Sequence, residues 1–92
     1  MKYDIQRTSS FKRDYKLIKK RGYDISKLKT VITIIAEGNE IPATYRDHAL
    51  SGNWLGYREL HIEPDWLLVY RIYENQLILS LTRTGTNSDL NF

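Results

Sequence analysis

YRELHIEPDWLLVYRIYENQLILSLTRT, residues 57–84, decides the fold of this 92-residue chain. Residues 57–63 alternate between apolar and polar side chains, which is typical of a strand with one buried face. Pro64 ends that run, because proline cannot donate a ladder hydrogen bond. Further strands are predicted over residues 66–73 and 76–84, separated by a tight turn. Three strands in quick succession predict an antiparallel sheet.

Two helices are predicted on the N-terminal side of these strands. A short strand over residues 2–8 comes first, and Ser9 or Ser10 can cap a helix from residue 11 to about residue 21. A second helix follows from residue 25 to about residue 37. Apolar residues recur at helical spacing in both segments, so each helix has one face to bury. An α+β fold is therefore expected, with two helices packed on a small, twisted, mostly antiparallel sheet.

The remaining segments are polar. Residues 39–53 form a connection that is long for a structureless loop, so it is expected to be functional or packed by its own side chains. Residues 85–92 form a tail that is polar apart from Leu90 and Phe92.

Length and composition limit the class of protein. Ninety-two residues are expected to form one domain, residues 1–92, with a modest core. The absence of cysteine excludes disulfides and thiolate metal sites. The first ten residues carry charge where a signal peptide needs an apolar run, and no run approaches the roughly 18 apolar residues of a membrane span. A cytoplasmic protein without a membrane partner is expected.

The net charge of +3 conceals an asymmetry. Residues 1–30 hold ten Lys or Arg against three acids, or +7, and residues 31–92 hold four Arg against eight acids, or −4. Such a distribution favours a polyanion or an acidic partner on the N-terminal part, and a solvated helix face is the alternative of equal weight. The expected source of the basic surface is one face of the first helix, with Lys12, Lys16, Lys19 and Lys20.

Several reactive side chains occur where the predicted strands end. His61 and Asp65 stand on either side of the first strand break, Trp66 opens the second strand and Arg83 closes the third. His48 precedes them in the connection. Imidazole and carboxylate transfer protons near neutral pH, guanidinium binds phosphate and indole stacks on bases. This combination indicates RNA binding or cleavage, provided that strand register brings the groups together.

Each of these residues also has a purely structural interpretation. A strand histidine is commonly a hydrogen-bonded surface residue, Trp66 suits a core, and Asp65 suits a turn. Arg83 could pair with Glu59 or Glu63. The two histidines and scattered acids lack the spacing of a zinc site, so neither a metal nor a cofactor is expected.

A longer motif favours the functional interpretation. The segment HALSGNWLGYRELHIEPDW, residues 48–66, followed by Tyr70 and by RTGT at residues 83–86, resembles the YafQ branch of the RelE/ParE toxin superfamily. The resemblance covers essentially the whole chain and is strongest over residues 45–86. It implies a RelE-like fold of two helices against a small twisted antiparallel sheet, in agreement with the pattern of helices and strands.

The resemblance also implies a function. Such toxins are ribosome-dependent endoribonucleases that cleave mRNA in the decoding site, and a cognate acidic antitoxin neutralises them. The antitoxin complex commonly represses its own promoter, so promoter DNA is an expected partner only through the antitoxin. RNA supplies its own nucleophile, the 2′-hydroxyl, so acid and base groups act without a metal.

Residue roles follow from the same resemblance. His48, His61 and Asp65 match functional positions, with the choice of base left open, and Arg83 matches a phosphate clamp. Substrate-binding roles are expected for Arg46, Trp66, Phe92, Lys12, Lys16, Lys19 and Lys20.

Asn87 departs from the family pattern. A histidine, a candidate general acid, usually follows the Gly-Thr pair, where this chain has Asn87 in the catalytic position. Asparagine cannot deliver a proton, and loss of general acid catalysis typically costs about 10²- to 10⁴-fold. The enzyme could use Asp65, His48 or another group as the acid, be slow, or be an inhibited or engineered variant. A catalytically impaired homologue that binds antitoxin and ribosome is the main alternative, and a ParE-like gyrase poison is less favoured.

Overall fold

The computed structural model describes residues 1–90, which form three helices and five strands. In chain order these are β1 (Asp4–Arg7), α1 (Ser9–Lys20), α2 (Ile25–Ala36), β2 (His48–Ala49), β3 (Arg58–Glu63), β4 (Trp66–Tyr73), β5 (Ile78–Gly85) and α3 (Asn87–Leu90). Within this part of the chain no helix is both long and apolar enough to cross a membrane.

All five strands belong to one sheet, in the order β1-β5-β4-β3-β2. The pairs from β2 to β5 are antiparallel, and β1 joins the edge of β5 in parallel. The predicted α+β class and mostly antiparallel sheet are therefore confirmed. The three strands of residues 57–84 form the centre of the sheet, flanked by two short strands from elsewhere in the chain.

The two faces of the sheet pack against different parts of the chain. α1 and α2 cover one face, here called the helix face, and build the main core with strand side chains that include Leu60, Leu68, Tyr70, Leu79 and Leu81. On the other face, here called the open face, Leu67 and Val69 contact Leu90 of α3 in a smaller cluster. Burial of each such side chain stabilises the fold by about 1.5–3 kcal/mol. Most of this stabilisation comes from the helix face, because the larger cluster of buried side chains lies there.

The first helix begins at Ser9, one residue earlier than a Ser9 cap allows and two earlier than a Ser10 cap allows. Thr8, not Ser9 or Ser10, is the cap: its Oγ1 accepts from the backbone N of Phe11 at 3.0 Å and donates to the Thr82 carbonyl at 2.8 Å. One hydroxyl thus caps α1 and ties it to β5, a tertiary contact that local sequence cannot reveal.

The two segments expected to be irregular contain regular structure. The connection of residues 39–53 holds 3₁₀ turns at Ala43–Tyr45 and Gly52–Trp54 and the short strand β2. The tail forms α3, whose Leu90 is 6% exposed. Neither segment has a long apolar pattern of its own. Its structure therefore depends on contacts with the sheet.

A β-bulge orients the end of β5. Tyr70 pairs with Leu81, whereas the preceding Val69 pairs with Arg83, so β5 carries Thr82 as an extra residue. Directly paired residues share a face, which places Arg83 on the open face with Val69. Strict alternation from the core residue Leu81 would have placed it on the helix face.

An ion pair ties α3 to the end of α1. The guanidinium of Arg21 donates to the Asp89 carboxylate at 2.6 and 3.1 Å, and the backbone N of Thr86 donates to it at 3.0 Å. The Arg21 hydrogen bond, followed by the backbone hydrogen bond, holds the pKa of the Asp89 carboxyl well below its usual range.

Asp89→Asn is expected to flatten the acid limb of the curve of stability against pH. A carboxyl with a depressed folded pKa contributes stability above its unfolded pKa of about 3.9, and loses it as the pH falls through the folded pKa. The wild-type protein should therefore lose more unfolding free energy than the variant as the pH is lowered from about 5 to about 2. Urea denaturation followed by circular dichroism measures the difference. Asp4→Asn, at an exposed strand position, should retain the wild-type slope, and identical slopes for all three proteins would contradict the prediction.

Candidate active site

Two histidines and a glutamate converge on the open face, where β2 and β3 lie side by side. His48 of β2 is paired with Glu59 of β3, and His61 follows two residues later on β3. Residues that are paired, or two apart on a strand, share a face. His48 Nε2 lies 3.5 Å from Glu59 Oε1, and the two imidazole centroids are 6.2 Å apart. The structure thus brings the two histidines together by means of a strand that the sequence analysis does not predict.

Backbone carbonyls fix the orientation of both imidazoles. His48 Nδ1 lies 2.9 Å from the Arg46 carbonyl oxygen, and His61 Nδ1 lies 3.3 Å from the Pro64 carbonyl oxygen. A carbonyl oxygen only accepts, so each Nδ1 must carry the proton in these hydrogen bonds. Each Nε2 is consequently the nitrogen that can take part in chemistry.

Glu59 is the residue of this cluster that sequence reasoning missed. It is only 8% exposed, which is unusual for an acidic side chain. A buried carboxylate is costly unless a cation or hydrogen-bond donors compensate it, and the nearby imidazole of His48 is suited to that task. The signal was present in the sequence, because strand alternation puts Glu59 on the same side as His61.

Asp65 and Asn87 meet beside the β3–β4 turn. Asp65 Oδ1 accepts from the backbone N of Asn87 at 3.0 Å and from its Nδ2 at 2.9 Å. The carboxylate thereby fixes the start of α3. Asp65 also follows directly after Pro64, whose carbonyl contacts His61. The side chain of Asn87 can therefore hold Asp65 in place, but it has no proton to transfer.

Arg83 is paired with an aspartate of α1. Asp14 accepts from Arg83 Nε at 2.7 Å and Nη2 at 3.2 Å, and also from the backbone N of Thr84 at 3.1 Å. The carboxylate partner is thus Asp14, and the suggested pairing with Glu59 or Glu63 is wrong. The Asp14 hydrogen bonds raise the pKa of Arg83 above its ordinary value.

Arg83 lies apart from the two histidines in the sheet. β5 and β3 are separated by β4, so the backbone of Arg83 lies about 10 Å from that of Glu59. The Arg83 side chain is 28% exposed, which leaves part of the guanidinium open to solvent. The pairing of Arg83 with Asp14 could not be predicted from the sequence, because it depends on α1 packing beside β5.

Arg46 and His61 line the same shallow cavity. The cavity has a volume of about 160 Å³, and its remaining lining residues are Thr44, Tyr45, Ile62, Glu63 and Pro64. Arg46 has a left-handed backbone, with φ of 50°. This conformation turns the chain between the 3₁₀ turn and β2, and places a guanidinium-bearing residue beside the histidine pair.

Asp47 braces the segment that carries Arg46 and His48. Its carboxylate accepts from Arg58 Nε at 3.0 Å and Nη2 at 2.7 Å, and from the hydroxyl of Tyr70. Burial, and then the hydrogen bond to Asp47, raises the pKa of Tyr70, while the same carboxylate raises the pKa of Arg58. Asp47 therefore connects the short strand β2 to the two central strands.

Asp47→Asn is expected to lower the free energy of unfolding by about 1–3 kcal/mol, because a partly buried guanidinium and a buried hydroxyl lose an ionised acceptor. Tyr70→Phe is the comparison, since it removes one hydrogen bond and leaves the Arg58–Asp47 pair intact. It should cost less than Asp47→Asn in the same urea denaturation series. An equal or larger cost for Tyr70→Phe would show that packing, not the carboxylate, braces this segment.

The structure corrects the role expected for Trp66. Its side chain is 1% exposed and packs edge-on against Tyr23, with ring centroids 5.0 Å apart. Its Nε1 donates to Thr84 Oγ1 at 3.0 Å, and that hydroxyl donates to the Leu67 carbonyl at 2.7 Å. A ring this deeply buried offers no face for stacking on a base. Trp66 is a core residue that supports the strand ends.

The basic helix lies apart from the histidine pair. α1 covers the helix face, and its predicted basic residues are exposed there: Lys12, Lys16, Lys19 and Lys20. Three of them, Lys12, Lys16 and Lys19, line a cavity of about 390 Å³ with Phe11 and Tyr15. The structure does not bring these lysines together with His48 and His61. Phe92, also expected to bind substrate, lies outside the described residues.

The cluster on the open face also has the composition of a metal-ligand set. One ligand atom from each of His48, Glu59 and His61 can be chosen so that all lie within 4.8 Å of one another. Sequence spacing predicted no such set. The structure differs because pairing of β2 with β3 joins residues 11 and 13 positions apart.

Comparison with known proteins extends these observations. A family described as "Bacterial toxin of type II toxin-antitoxin system, YafQ" matches residues 3–91. The mRNA interferase toxin YafQ of Escherichia coli (strain K12) is 41% identical over 88 residues, which cover 95% of this chain and 94% of the relative.

Solved structures are similar over nearly the whole chain. The toxin chain in the crystal structure of the E. coli DinJ–YafQ toxin–antitoxin complex is 40% identical, with a TM-score of 0.87, and the match covers 98% of both chains. A metal-bound toxin from Helicobacter pylori is 35% identical, with a TM-score of 0.90 over 96% of this chain and 98% of that one.

Proposed function

We propose that this chain, which belongs to the bacterial YafQ family of toxins from type II toxin–antitoxin systems, is an endoribonuclease that cleaves mRNA on the ribosome. Its relative in E. coli is named an mRNA interferase, which supports the substrate class. The observation that carries the proposal is the convergence of His48, Glu59 and His61 on one solvent-accessible face. We expect a single domain, residues 1–92, to contain the whole site.

Cleavage requires the 2′-hydroxyl to attack the adjacent phosphorus. Its proton leaves to a base, the phosphorus–5′-oxygen bond breaks, and an acid protonates the departing 5′-oxygen. The products are a 2′,3′-cyclic phosphate and a free 5′-hydroxyl. Both proton transfers suit imidazole, and ring centroids 6.2 Å apart allow both rings to contact one phosphodiester group lying over them.

The surroundings of the two imidazoles suggest different roles. His48 Nε2 lies 3.5 Å from the Glu59 carboxylate, which can orient a proton on that nitrogen, so His48 is assigned as the acid. His61 has its Nδ1 proton held by the Pro64 carbonyl, which leaves the lone pair of Nε2 to accept a proton, so His61 is assigned as the base. Under this assignment Asp65 is a positioning residue, because it is engaged with Asn87.

Arginines on either side of the histidines are suited to hold the RNA. Arg46 borders the cavity that His61 lines, and Arg83 lies on the same face two strands away. Guanidinium groups stabilise phosphate oxygens as their charge rises in the transition state. The lysines of α1 lie on the other layer, so we assign them to contacts with the ribosome or with the antitoxin, not to the scissile phosphate.

A cognate acidic antitoxin is the second expected partner. The E. coli relative forms a complex with DinJ, and the +7 charge of residues 1–30 complements an acidic chain. Promoter DNA is expected to be contacted only through that complex. The site of action is the cytoplasm, where mRNA is translated.

Mapping of mRNA 5′ ends after brief expression tests the proposal. Cleavage inside coding regions should yield new 5′-hydroxyl ends, and blocking translation initiation should remove them because the ribosome is required. Expression of an Arg83→Ala variant in parallel should reduce their number. Growth arrest without new mRNA ends, or with DNA damage signalling in their place, would refute the nuclease assignment.

A catalytically impaired homologue is the alternative, and Asn87 is the observation that favours it. The asparagine donates to Asp65 and has no proton to deliver to the leaving oxygen. Such a protein would bind antitoxin and ribosome while cleaving slowly. The two proposals differ in whether position 87 limits the rate.

Asn87→His is expected to change the cleavage rate by less than about tenfold, because His48 already supplies the acid. A rise of about 10²- to 10⁴-fold, the usual effect of general acid catalysis, would establish the impaired homologue instead. Asn87→Ala is the control, since it removes the hydrogen bond to Asp65 without adding a titratable group. Single-turnover cleavage of mRNA on programmed ribosomes measures all three proteins.

A further inference from the structure

We propose that Arg71 of β4 binds a phosphate of the mRNA that neighbours the scissile one, as a second phosphate subsite of the open face. The inference rests on the proposed function for the identity of the substrate. Its geometric basis is a guanidinium that two tyrosine rings hold in place on the same face as the histidine pair.

Arg71 lies one step along the sheet from the catalytic cluster. Its chain neighbours Tyr70 and Ile72 pack in the main core on the helix face, so alternation places Arg71 on the open face. Val69, two residues earlier on β4, is paired with Glu59. Arg71 is therefore about 7 Å along the strands from the row that contains Glu59. This distance is comparable with the length of one nucleotide in an extended RNA strand.

Two aromatic rings fix the position of the guanidinium. The central carbon of the Arg71 guanidinium lies 5.2 Å from the centroid of the Tyr57 ring and 4.9 Å from that of the Tyr73 ring. Such contacts attract the cation to the ring face without neutralising its charge. A side chain that is already held in place loses little conformational freedom when it binds an anion, so the subsite is preorganised.

The chain before β3 is shaped to accommodate this guanidinium. Gly56 has a φ of +94°, which residues with a Cβ rarely adopt. A Cβ built on Gly56 would lie 3.1 Å from Arg71 Cζ and 3.2 Å from its Nη2. Any larger residue at position 56 would therefore press on the guanidinium, and the glycine leaves the space that Arg71 occupies.

The charge of Arg71 has no anionic partner within residues 1–90. Arg21, Arg58 and Arg83 are each paired with an aspartate. In the same part of the chain, Arg71 makes neither an ion pair nor a hydrogen bond. Since no buried side-chain nitrogen of these residues lacks a partner, the N–H groups of Arg71 reach solvent. A fixed guanidinium with open donors is suited to bind a phosphate.

The surroundings of Arg71 favour RNA as the source of that phosphate. Single-stranded RNA is commonly bound by a cation that contacts the backbone beside an aromatic ring that stacks on a base. Tyr73 is 36% exposed, so part of its ring is open to such stacking. The histidine pair lies on the same face, so one RNA strand can reach both places. An acidic segment of the antitoxin is the competing occupant.

The affinity of the full chain for programmed ribosomes tests the inference. The mRNA carries 2′-deoxy nucleotides in the decoding-site codon, which removes the nucleophile and separates binding from cleavage. Arg71→Gln keeps part of the side-chain stem without the charge and should weaken binding at least about tenfold. Tyr73→Phe keeps the ring and should bind like wild type. Lys29→Gln removes one charge at an exposed position of α2 and should also bind like wild type.

Neutral methylphosphonates, introduced one at a time around the scissile phosphate, identify the contact. At one flanking position the substitution should weaken the wild-type protein at least about tenfold and leave Arg71→Gln unaffected, because the variant has already lost that contact. Equal sensitivity of the two proteins at every position overturns the inference. Weaker binding of Arg71→Gln to ribosomes without mRNA, or to the cognate antitoxin alone, also overturns it at equal sensitivity, and assigns Arg71 to that partner.

Cleavage of an all-ribose mRNA by the wild-type protein is measured alongside. Cleavage without coupling between Arg71 and any phosphate overturns this inference alone. If the wild-type protein binds programmed ribosomes but does not cleave, the nuclease function fails, while the methylphosphonate series still decides the role of Arg71. Absence of binding as well as cleavage overturns both.

Discussion

His61→Asn is expected to lower the rate of mRNA cleavage by about 10²- to 10⁴-fold, the usual range for loss of a general base. The amide replaces an imidazole whose Nδ1 is held 3.3 Å from the Pro64 carbonyl oxygen and whose Nε2 is the proposed proton acceptor. Because His61 is only partly buried, we expect the variant to fold with near-wild-type stability. Single-turnover cleavage on programmed ribosomes gives the rate, and growth arrest on expression gives an independent measure.

His48→Asn is the matched variant, because the chain contains only these two histidines. If the two rings act in one concerted reaction, each single change should cost nearly as much as both together, since residues that act as a unit are strongly non-additive. Lys29→Asn introduces the same side chain at an exposed position of α2 and should leave the rate unchanged. Wild-type cleavage by both histidine variants would remove the basis of the proposed mechanism.

Trp66→Phe is expected to lower the free energy of unfolding by about 1–3 kcal/mol and to leave cleavage within about tenfold of wild type. The smaller ring leaves a void in a site that is 1% exposed, and the hydrogen bond from the indole N–H to Thr84 is lost. Urea denaturation monitored by circular dichroism measures the stability, and cleavage is measured at a temperature where the variant is folded.

Trp54→Phe is the control for this prediction. Trp54 is the other tryptophan of the chain, is partly buried, and packs edge-on against Tyr57 in the cluster of the open face. A smaller loss of stability is expected there, because less of the side chain is enclosed. A large loss of cleavage by Trp66→Phe at unchanged stability would contradict this prediction and would indicate that Trp66 stacks on RNA.

Much of the fold could be predicted because it follows from local patterns in the sequence. Alternation identified the strand containing His61. Helical spacing identified α1 and α2, and each predicted end lies within two residues of the observed one. Elements without such a pattern were missed: β2 is two residues long and α3 is four. Short elements of this kind form only when the sheet supplies their partners, so their sequences carry little signal.

The candidate site was predictable only in part, for the same reason. His48, His61, Asp65 and Arg83 attract attention because their chemistry is unusual in so short a chain. Their partners do not, since Asp14, Asp47 and Glu59 are ordinary acids until the fold pairs them with Arg83, Arg58 and His48. Trp66 was misjudged because an indole suits both a core and an RNA surface, and only burial distinguishes the two.

By itself, the sequence determined the class of fold, the antiparallel strands of residues 57–84 and the inventory of reactive groups, because periodicity and composition are local properties. Only the tertiary structure decided which groups meet. Pairing of β2 with β3 joins His48 to Glu59 and His61, and the bulge at Thr82 moves Arg83 to their face. Strand register and bulges depend on contacts between distant segments, so one residue of slippage would have sent the same side chains to the opposite face.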